Sequence, residues 1–388
     1  MKVNNSLLKC KLYKTIEEIP KDKWDALRGN SSITLSYQFW KTVEKSEFSY
    51  ISNLKYIVYY YDSEPVALIP CYTVRTDITI FSGNKFKSLL NSIRNIFPNF
   101  LTFNLLECGS PVTVNTPQFL YNDKFPMDVL LKNLKKTLIK LAFKYRSFLI
   151  IIRDFESNHD IKDYKKLLRK IGFAWLPSFP NTYLDIRWSS VDEYYKSLRS
   201  HYRYKLKKYL KINSRNNISH KLVDDFDEIS EQLCRQWLAV HNKADELKRE
   251  ILTSNFYKEF SNNMGEKSKV LLFYKDNKLC AHALLLKDNE TLRWMYVGRE
   301  NPINDSLYFY IVDKIVETAI HMEVTRLEMG MTTYSIKQDF GADVIPINIA
   351  IKLIIPLLNF ILTPIYYKLY KSKIHITKRV FKDIPLNT

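Results

Sequence analysis

Three side chains in the second half of the chain have types and positions suited to proton transfer. Glu328 ends a predicted strand in RLEMGM, and a carboxylate at a buried strand end can accept a proton. His282 stands between two alanines, whose small side chains leave room for a ligand. His241 ends a predicted helix one turn after Trp237, where the helix dipole favours an imidazolium. The alternatives are a solvated strand-end acid, a hydrogen-bonded core histidine and a helix cap.

Two further candidates follow Glu328 at the sixth and ninth positions. The Tyr334 hydroxyl can donate a proton to a leaving group, and the Lys337 cation can hold a phosphate or a carboxylate. The alternatives are that Tyr334 is one of 26 tyrosines with no special role and that Lys337 is a surface lysine. The spacing in LEMGMTTYSIK lets the chain leave the strand and return, so we expect Glu328 and Lys337 to meet at one cleft.

The loop RENPINDS lies before a predicted helix and suits an anionic ligand. Free N–H groups at a helix N-terminus bind phosphate, and Asn, Asp and Ser are good N-caps. We therefore predict that Arg299, Asn304 and Ser306 hold the phosphate of a bound donor. Asp305 would repel that phosphate if it faced the ligand, and the loop has no glycine.

The elements that must position these residues occur in two runs of similar order. The second run reads as helix, strand, helix, three strands in KVLLFYKDNKLCAHALLLKDNETLRWMYVG, helix and strand. The first run contains a hairpin around residues 62–65, the basic helix MDVLLKNLKKTLIKLAFKYR and the strand SFLIIIRDF. We predict an α+β fold with an N-terminal domain over 1–187, a C-terminal domain over 188–355, and an apolar, basic helix and tail over 356–388.

Composition excludes several classes of site. Hydrophobic residues make up 46% of the 388 residues, which is ample for two packed cores. The 8 glycines are too dispersed for a Walker loop or a GxGxxG turn. The 5 cysteines form no CxxC pair, so we expect neither a zinc site nor a disulfide framework, and no metal. The N-terminus has no continuous apolar run, so we expect no signal peptide and a cytoplasmic location.

Charge and one apolar stretch indicate the partners. The formal net charge is +18, which favours nucleic acid, an acidic membrane surface or a phosphate-bearing ligand. Residues 199–215 hold seven Lys or Arg and no acid, which predicts a solvated basic face or a rim that guides an acidic donor. Residues 353–367 are uncharged but contain two prolines, and a spanning helix needs about 20 residues. We expect a strand and packed helix there, or peripheral contact with the inner membrane through 353–373.

Several of these segments occur in the order of a known family. The second half resembles the GNAT-like acyltransferase domain of FemAB-type and CelD-like bacterial proteins in YKSLRSHYRYKLKK, KDNKLCAHALLL, RWMYVG and LEMGMTTYSIKQDFGA. The first half is similar to the bacterial peptidogalycan group in KDKWDAL and SYQFWKTVEKS. The resemblance covers most of the chain and implies two tandem GNAT-like domains, with the active site in the second.

The resemblance also implies an activity. It implies an N-acyltransferase that takes its acyl group from acyl-CoA and acts on an amine, with Glu328 at the family's acidic position. A ceramide synthase-like group within the resemblance implies a lipidic or cell-envelope amine. Two alternatives remain open: a FemX-like ligase that uses aminoacyl-tRNA, and a non-catalytic basic module that binds nucleic acid or membrane. The segment NKADELKREIL is too short for the paired-helix arm of many such ligases, so we expect no nucleic-acid partner.

Overall fold

The structure is a computed structural model that describes most of the chain. The described residues are 7–77, 93–97, 102–112, 117–156, 161–244, 249–303, 305–355, 364, 366 and 377–382. The chain divides into two compact units. Unit 1 comprises Met1–Trp40, Phe48–Phe179 and Pro346–Ile374, and unit 2 comprises Lys41–Glu47, Pro180–Ile345 and His375–Thr388.

Unit 1 is built from a large mixed sheet and flanking helices. In chain order its elements are β1 (Leu8–Tyr13), α1 (Lys21–Arg28), the start of α2 (Tyr37–Lys45), β2 (Ile51–Tyr61), β3 (Glu64–Asp77), β4 (Thr102–Cys108), β5 (Leu120–Tyr121), α3 (Met127–Lys144), β6 (Leu149–Glu156), α4 (Ile161–Lys170), β7 (Ala174–Pro177) and, from the far end of the chain, β15 (Ile347–Leu353). Among the described residues the sheet has eight strands in the order β1-β2-β3-β4-β6-β15-β7, with β5 beside β3.

Unit 2 repeats this plan. Its elements are β8 (Asn181–Asp185), α5 (Val191–Ser197), α6 (Ser200–Arg215), β9 (Ile218–Val223), α7 (Ser230–Lys243), α8 (Ser254–Met264), β10 (Ser268–Lys275), β11 (Lys278–Asp288), β12 (Thr291–Arg299), α9 (Asp305–His321), β13 (Arg326–Glu328), α10 (Tyr334–Asp339) and β14 (Asp343–Ile345). The described part of its sheet has seven strands in the order β14-β8-β13-β12-β11-β10-β9. Two mixed sheets with flanking helices confirm the predicted α+β class.

Short turns set the registers of the antiparallel strands. β2 and β3 are joined by Asp62 and Ser63, which both have positive φ, as a two-residue primed turn requires. Asp276 and Asn277 do the same between β10 and β11. These turns confirm the hairpins that were predicted from the Asp- and Asn-containing breaks between apolar runs.

Each sheet buries apolar side chains beneath helices. In unit 2 the long helix α9 places an almost entirely buried row, including Ile311, Val312 and Ile315, against one face of the sheet. In unit 1, α3 packs Leu130, Leu134 and Leu138 on its sheet in the same way. Both predicted helices are therefore confirmed, and their buried residues have the helical spacing on which the prediction was based.

The structure differs from the sequence-based organisation in three places. The strand β15, which was expected to belong to the C-terminal domain ending at 355, pairs with β6 and β7 in the sheet of unit 1. Neighbouring strands β7 and β8 likewise lie in different sheets, so the division near residue 180 precedes the expected 187. The single helix expected after residue 190 is broken into α5 and α6, because Leu198 and Arg199 pair with the segment around Phe381.

The predicted C-terminal helix and tail fall largely outside the described residues. This applies to nearly all of 356–388, including most of the 353–373 stretch for which membrane contact was expected. Among the helices that the structure does describe, none is long and apolar enough to span a bilayer.

Candidate functional site

The parallel strands β12 and β13 separate part-way along β12. Their pairing covers three rungs and ends where Arg293 lies opposite Glu328. β12 then continues for six residues to Arg299, paired only with β11 on its other side in the part of the chain that the structure describes. Backbone N–H and C=O groups on an edge of this kind can bind an extended ligand. The end of this strand pair is therefore our candidate site.

A β-bulge lies directly after the point of separation. Leu285 faces Trp294 and Leu284 faces Tyr296, so Met295 is an extra residue in β12. Bulges re-aim side chains and are frequent beside active sites. Here the bulge places Trp294 in the core beneath α9 and Tyr296 among the aromatic residues of α7 and α8.

A buried ionic network closes the last paired rung. Arg293 forms a short contact with Glu328 and also binds Asp288, 2.8 Å from Nη2 to Oδ2. The other oxygen of Glu328 accepts a hydrogen bond from the Asn181 amide at 2.8 Å. Burial lowers the pKa of Arg293 and the two carboxylates raise it, with a net rise that keeps the guanidinium charged. Glu328, 2% exposed, is thus held by donors on both oxygens, an arrangement that suits positioning more than free proton exchange.

Lys337 lies near the point where β12 and β13 separate. Its side chain is 2% exposed, and Nζ donates to the carbonyls of Gly330 at 3.0 Å and Met331 at 2.9 Å. Nζ also lies 5.3 Å from the centroid of the Trp294 ring. Burial lowers the pKa of Lys337 to about 7, against a smaller opposing effect of Glu328. The structure thus brings Glu328 and Lys337 within electrostatic reach of each other, in a cluster with Trp294.

A row of side chains connects Lys337 to the loop before α9. The Trp294 and Tyr308 rings are 5.9 Å apart, and the Tyr308 hydroxyl is 2.7 Å from the Thr333 hydroxyl. The guanidinium of Arg299 lies over the Tyr308 ring at 5.0 Å. Burial lowers the pKa of Arg299 and raises that of Tyr308 to about 12. A cation and a neutral phenol therefore stand between the predicted phosphate loop and the buried lysine.

A second group of polar side chains surrounds Tyr296. Its hydroxyl donates a short hydrogen bond to Glu250, and its ring meets Trp237 edge-on at 6.2 Å. His241 stacks on Trp237, with centroids 4.8 Å apart, in the last turn of α7. The partly exposed His241 thus belongs to a cluster that reaches the bulge of β12 through two aromatic rings.

His282 is a core residue in this structure. It is fully buried, with Nδ1 2.9 Å from the Gln236 carboxamide oxygen and Nε2 3.1 Å from the Tyr257 hydroxyl. Burial lowers the pKa of His282 to about 3, so the imidazole is neutral near pH 7. The space expected beside it is filled by Gly298, where an added Cβ would lie 2.2 Å from the ring. The catalytic role assigned to His282 remains a prediction that this geometry does not favour.

The remaining predicted residues are less central. The Tyr334 hydroxyl donates to the Pro180 carbonyl at 2.9 Å. Ser306 lies in the first turn of α9, where its carbonyl accepts from Asn213 at 2.9 Å. Asn304 lies outside the described residues. Their roles in catalysis and donor binding stay predictions.

The comparison with protein families bears on the whole arrangement. Residues 106–335, more than half of the chain, match the FemAB-like family, described as "Peptidogalycan biosysnthesis/recognition". The chain belongs to the FemAB-like family. This confirms the resemblance to FemAB-type proteins that was found in the sequence.

Solved structures agree on the fold of this FemAB-like chain. FemX superposes with a TM-score of 0.55 at 12% identity, covering 90% of this chain and 99% of that chain. A tandem GNAT protein from the clavulanic acid biosynthesis pathway gives 0.53 at 10% identity, covering 89% and 98%. At such identities these neighbours show the two-unit fold alone.

A curated relative is found in Mycobacterium tuberculosis. The protein named "Putative 8-amino-7-oxononanoate synthase 2" is 28% identical over 318 residues, which is 80% of this chain and 41% of that protein. The chain therefore spans about two fifths of the relative that it matches.

Sequence reasoning did not find the partners that define the site. Arg293 and Asn181 were not singled out, because their roles depend on a pairing between distant strands. Trp294, Tyr296 and Glu250 were not among the predicted site residues. The adjacent Trp294, Met295 and Tyr296 interrupt strict alternation in β12, and this was the one available signal for the bulge.

Proposed function

We propose that this FemAB-like chain is an N-acyltransferase that moves an acyl group from a thioester donor to an amine. The observation that carries the proposal is the continuation of β12 beyond Arg293, where β11 is its one partner among the strands that the structure describes, with a bulge at Met295 and a buried lysine beside it. An acyl chain or pantetheine arm can lie along such an edge. Its carbonyl would then meet backbone N–H groups fixed in advance, which stabilise the oxyanion that forms during acyl transfer.

Lys337 supplies the acid for this reaction. The amine nitrogen attacks the thioester carbon, the new C–N bond forms, the C–S bond breaks, and the thiolate must take a proton. A protonated lysine has three N–H groups, and two of them bind Gly330 and Met331, so the third can face the sulfur. A pKa lowered to about 7 suits this transfer because acid strength then matches the working pH.

The attacking amine loses its own proton on the side of Tyr296. The cluster of Glu250 and His241 is the group of bases that adjoins the bulge from that side. Glu328 has a different task in this scheme: it holds Arg293 at the last rung and raises the proton affinity of Lys337. This replaces the base role predicted for Glu328 with a positioning role.

The donor is acyl-CoA or another acyl thioester with a phosphate near the loop before α9. Arg299 and Ser306 are the described residues that would hold that phosphate, together with the N–H groups at the start of the helix. The Tyr308 ring lies beneath Arg299 and orients its guanidinium, and burial keeps the Arg299 side chain away from solvent.

A long-chain amine is the proposed acceptor. The name of the M. tuberculosis relative describes the synthesis of a nine-carbon acid that carries an amine beside a ketone. An amine of that kind is a chemically suitable substrate for N-acylation. The apolar residues around Tyr296, which include Trp237 and Phe256, favour an acceptor with an apolar chain over a polar metabolite.

The proposal is tested by product formation with matched lysine variants. Purified protein is incubated with palmitoyl-CoA and a long-chain primary amine, and the amide is measured by mass spectrometry. Lys337→Met should lower kcat by about 10²–10⁴-fold, the usual range for loss of an acid–base residue. Lys352→Met is the control, because Lys352 is also buried, also donates to a glycine carbonyl, at Gly172, and lies in the sheet of unit 1.

The outcomes separate catalysis from folding. If both variants lose activity in proportion to their loss of folded protein, Lys337 is structural. If the wild type forms no amide from any acyl thioester but transfers an amino acid from charged tRNA, the chain is an aminoacyl ligase and the thioester proposal is wrong.

A further inference from the structure

Helix α6 presents a continuous basic stripe to solvent. Tyr204, Lys207, Lys208, Lys211 and Arg215 are all exposed, and their spacing places them on one face of the helix. We call these five residues the α6 stripe. Tyr204 at its start is 74% exposed, which is unusual for a large aromatic ring.

The opposite face of α6 is used for packing. Leu206 and Asn213 are buried, and Tyr209 stacks on Phe309 of α9 with centroids 4.1 Å apart. The apolar face of the helix is therefore occupied by the core of unit 2. Only its charged face is available to a partner.

The stripe carries an electrostatic cost within the free protein. Lys207 and Lys211, and then Lys211 and Arg215, are like-charged pairs four residues apart, a spacing at which like charges destabilise a helix. Within the part of the chain that the structure describes, no carboxylate lies within 4 Å of the lysines at 208 and 211 or of the arginine. An acidic partner would relieve this repulsion, because it supplies the missing opposite charge.

The stripe ends beside the proposed donor loop. Asn213, in the last turn of α6, donates to the Ser306 carbonyl in the first turn of α9 at 2.9 Å. Ile303 in the same loop is 72% exposed. A partner lying along the stripe would thus meet an apolar contact at the point where a donor arm enters towards Arg299.

The loop before α9 is better suited to a ligand with one phosphate group than to one with several. Coenzyme A carries a pyrophosphate and a ribose phosphate, and close approach of backbone to pyrophosphate usually requires glycines. The loop 299–306 contains no glycine. The neighbouring Gly298 packs against His282, whose ring occupies the space beside its Cα. A phosphopantetheine arm on a carrier protein carries one phosphodiester, which Arg299 alone can neutralise.

We propose that the α6 stripe docks an acidic acyl carrier protein that delivers the acyl group as a phosphopantetheine thioester. The proposal rests on the acyl transfer proposed above and specifies its donor. The carrier keeps its thiol, the acyl carbon passes to the amine, and no other reactant is needed. The stripe runs over residues 204–215, eleven helical rises or about 17 Å, which matches one acidic helix laid alongside it.

Charge and shape favour this partner over two others. An interfacial helix inserts its apolar face into lipid, whereas the apolar face of α6 is buried in the protein. Bidentate recognition of nucleic-acid phosphates favours arginine forks, and three of the four cations here are lysines. Lysine point charges on a narrow stripe suit the carboxylates of an acidic helix.

The test compares two donors on the full-length protein. The stripe variant carries Lys207→Gln, Lys208→Gln and Lys211→Gln. The control variant removes three exposed lysines from a helix of unit 1 by Lys165→Gln, Lys166→Gln and Lys170→Gln. Amide formation is measured with palmitoyl-loaded bacterial acyl carrier protein and with palmitoyl-CoA, at low and at physiological ionic strength.

The expected result is specific to one donor and one surface. For the carrier protein, kcat/KM of the stripe variant should fall by about tenfold or more at low salt, as for loss of electrostatic steering. For palmitoyl-CoA it should stay within about twofold of wild type, and the control variant should match wild type with both donors.

Other outcomes overturn the proposal. Equal losses with both donors, or no loss with either, would remove the stripe as a carrier site. Transfer from palmitoyl-CoA but none from the carrier would refute this inference while leaving the acyltransferase intact, and transfer from neither would refute the acyltransferase itself. Loss of binding to tRNA or to phosphatidylglycerol vesicles in the stripe variant, with carrier kinetics unchanged, would assign the surface to one of those partners.

Discussion

Replacing Lys337 with methionine should change how the stability of unit 2 depends on pH. Burial lowers the pKa of Lys337 to about 7, whereas a lysine in the unfolded chain titrates near 10.5. Between these values the unfolded chain binds more protons than the folded one, so the stability of the wild type rises with pH. Methionine fills a similar volume and has no proton to exchange, so this contribution disappears.

The size of the effect follows from the two pKa values. Each pH unit between them is worth about 1.4 kcal/mol, and integration from pH 6 to pH 9 gives about 2.6 kcal/mol. The free energy of unfolding of the wild type, minus that of Lys337→Met, should therefore rise by about that amount over this range. Below pH 6 the difference should be constant, because both states of the wild type are then protonated.

The assay must report on unit 2 alone. Urea unfolding at each pH is followed by a short hydrogen–deuterium pulse at one fixed pH, and peptides from β12 and α9 are read by mass spectrometry. Lys166→Met, at an exposed site of unit 1, controls for loss of a lysine as such. Stability curves of wild type and Lys337→Met that run parallel from pH 6 to pH 9 would refute the buried, readily deprotonated lysine and the acid role built on it.

Three further predictions concern the surroundings of the site. Glu328→Gln should move the alkaline limb of the pH–rate profile to lower pH, since the carboxylate raises the proton affinity of the buried lysine; an unmoved limb would contradict the coupling. Gly298→Ala should destabilise unit 2 by about 1–3 kcal/mol in urea unfolding, because its Cβ would lie 2.2 Å from His282. Wild-type stability in that variant would show that the strand can shift. Phe381→Ala should expose the 377–382 segment to limited proteolysis, because the ring covers Gly341, and a protected segment would show that its backbone pairing suffices.

Local elements could be predicted because local physics decides them. The two-residue turn at Asp62 and Ser63 and the apolar spacing of α3 each specify their structure within a few residues. The start of α9 at Asp305 follows from the same kind of signal, a run of cap residues before a periodic segment.

The assignment of strands to sheets could not be predicted in this way. β7 and β8 are separated by three residues, yet one joins the sheet of unit 1 and the other that of unit 2. β14 and β15 are divided in the same manner at Pro346. An apolar strand pattern shows that a strand is buried, but it does not show which edge accepts it, because that choice is made by distant partners.

The chemistry of the site could be predicted from the sequence only in part, for a related reason. Lys337 was found from its spacing after Glu328, but as a residue that holds charge on a ligand. Its altered proton affinity comes from desolvation beneath Trp294, and no local pattern encodes that burial. The partner of Glu328 was missed because Arg293 lies 35 residues earlier and meets it only through the parallel register.

The two units place the same pair of charges at the end of their parallel strands but use it differently. In unit 1, Glu107 of β4 accepts from Tyr72 at 2.8 Å and lies 3.5 Å from Arg153 of β6, just after the last paired rung. There the arginine side chain itself occupies the end of the strand pair, 3.3 Å from the Cβ position of Gly109.

In unit 2 the ion pair lies on the last rung rather than after it, and β12 continues beyond it with β11 as its one partner among the described strands. The arginine there belongs to the longer strand and is held back by Asp288, while a lysine with a lowered pKa stands at the opening. The arginine lies on the second strand of the parallel pair in unit 1, β6, and on the first strand in unit 2, β12, and this exchange distinguishes a strand end filled by a side chain from one that can take a ligand. That difference is why we assign catalysis to unit 2, although both units share the fold.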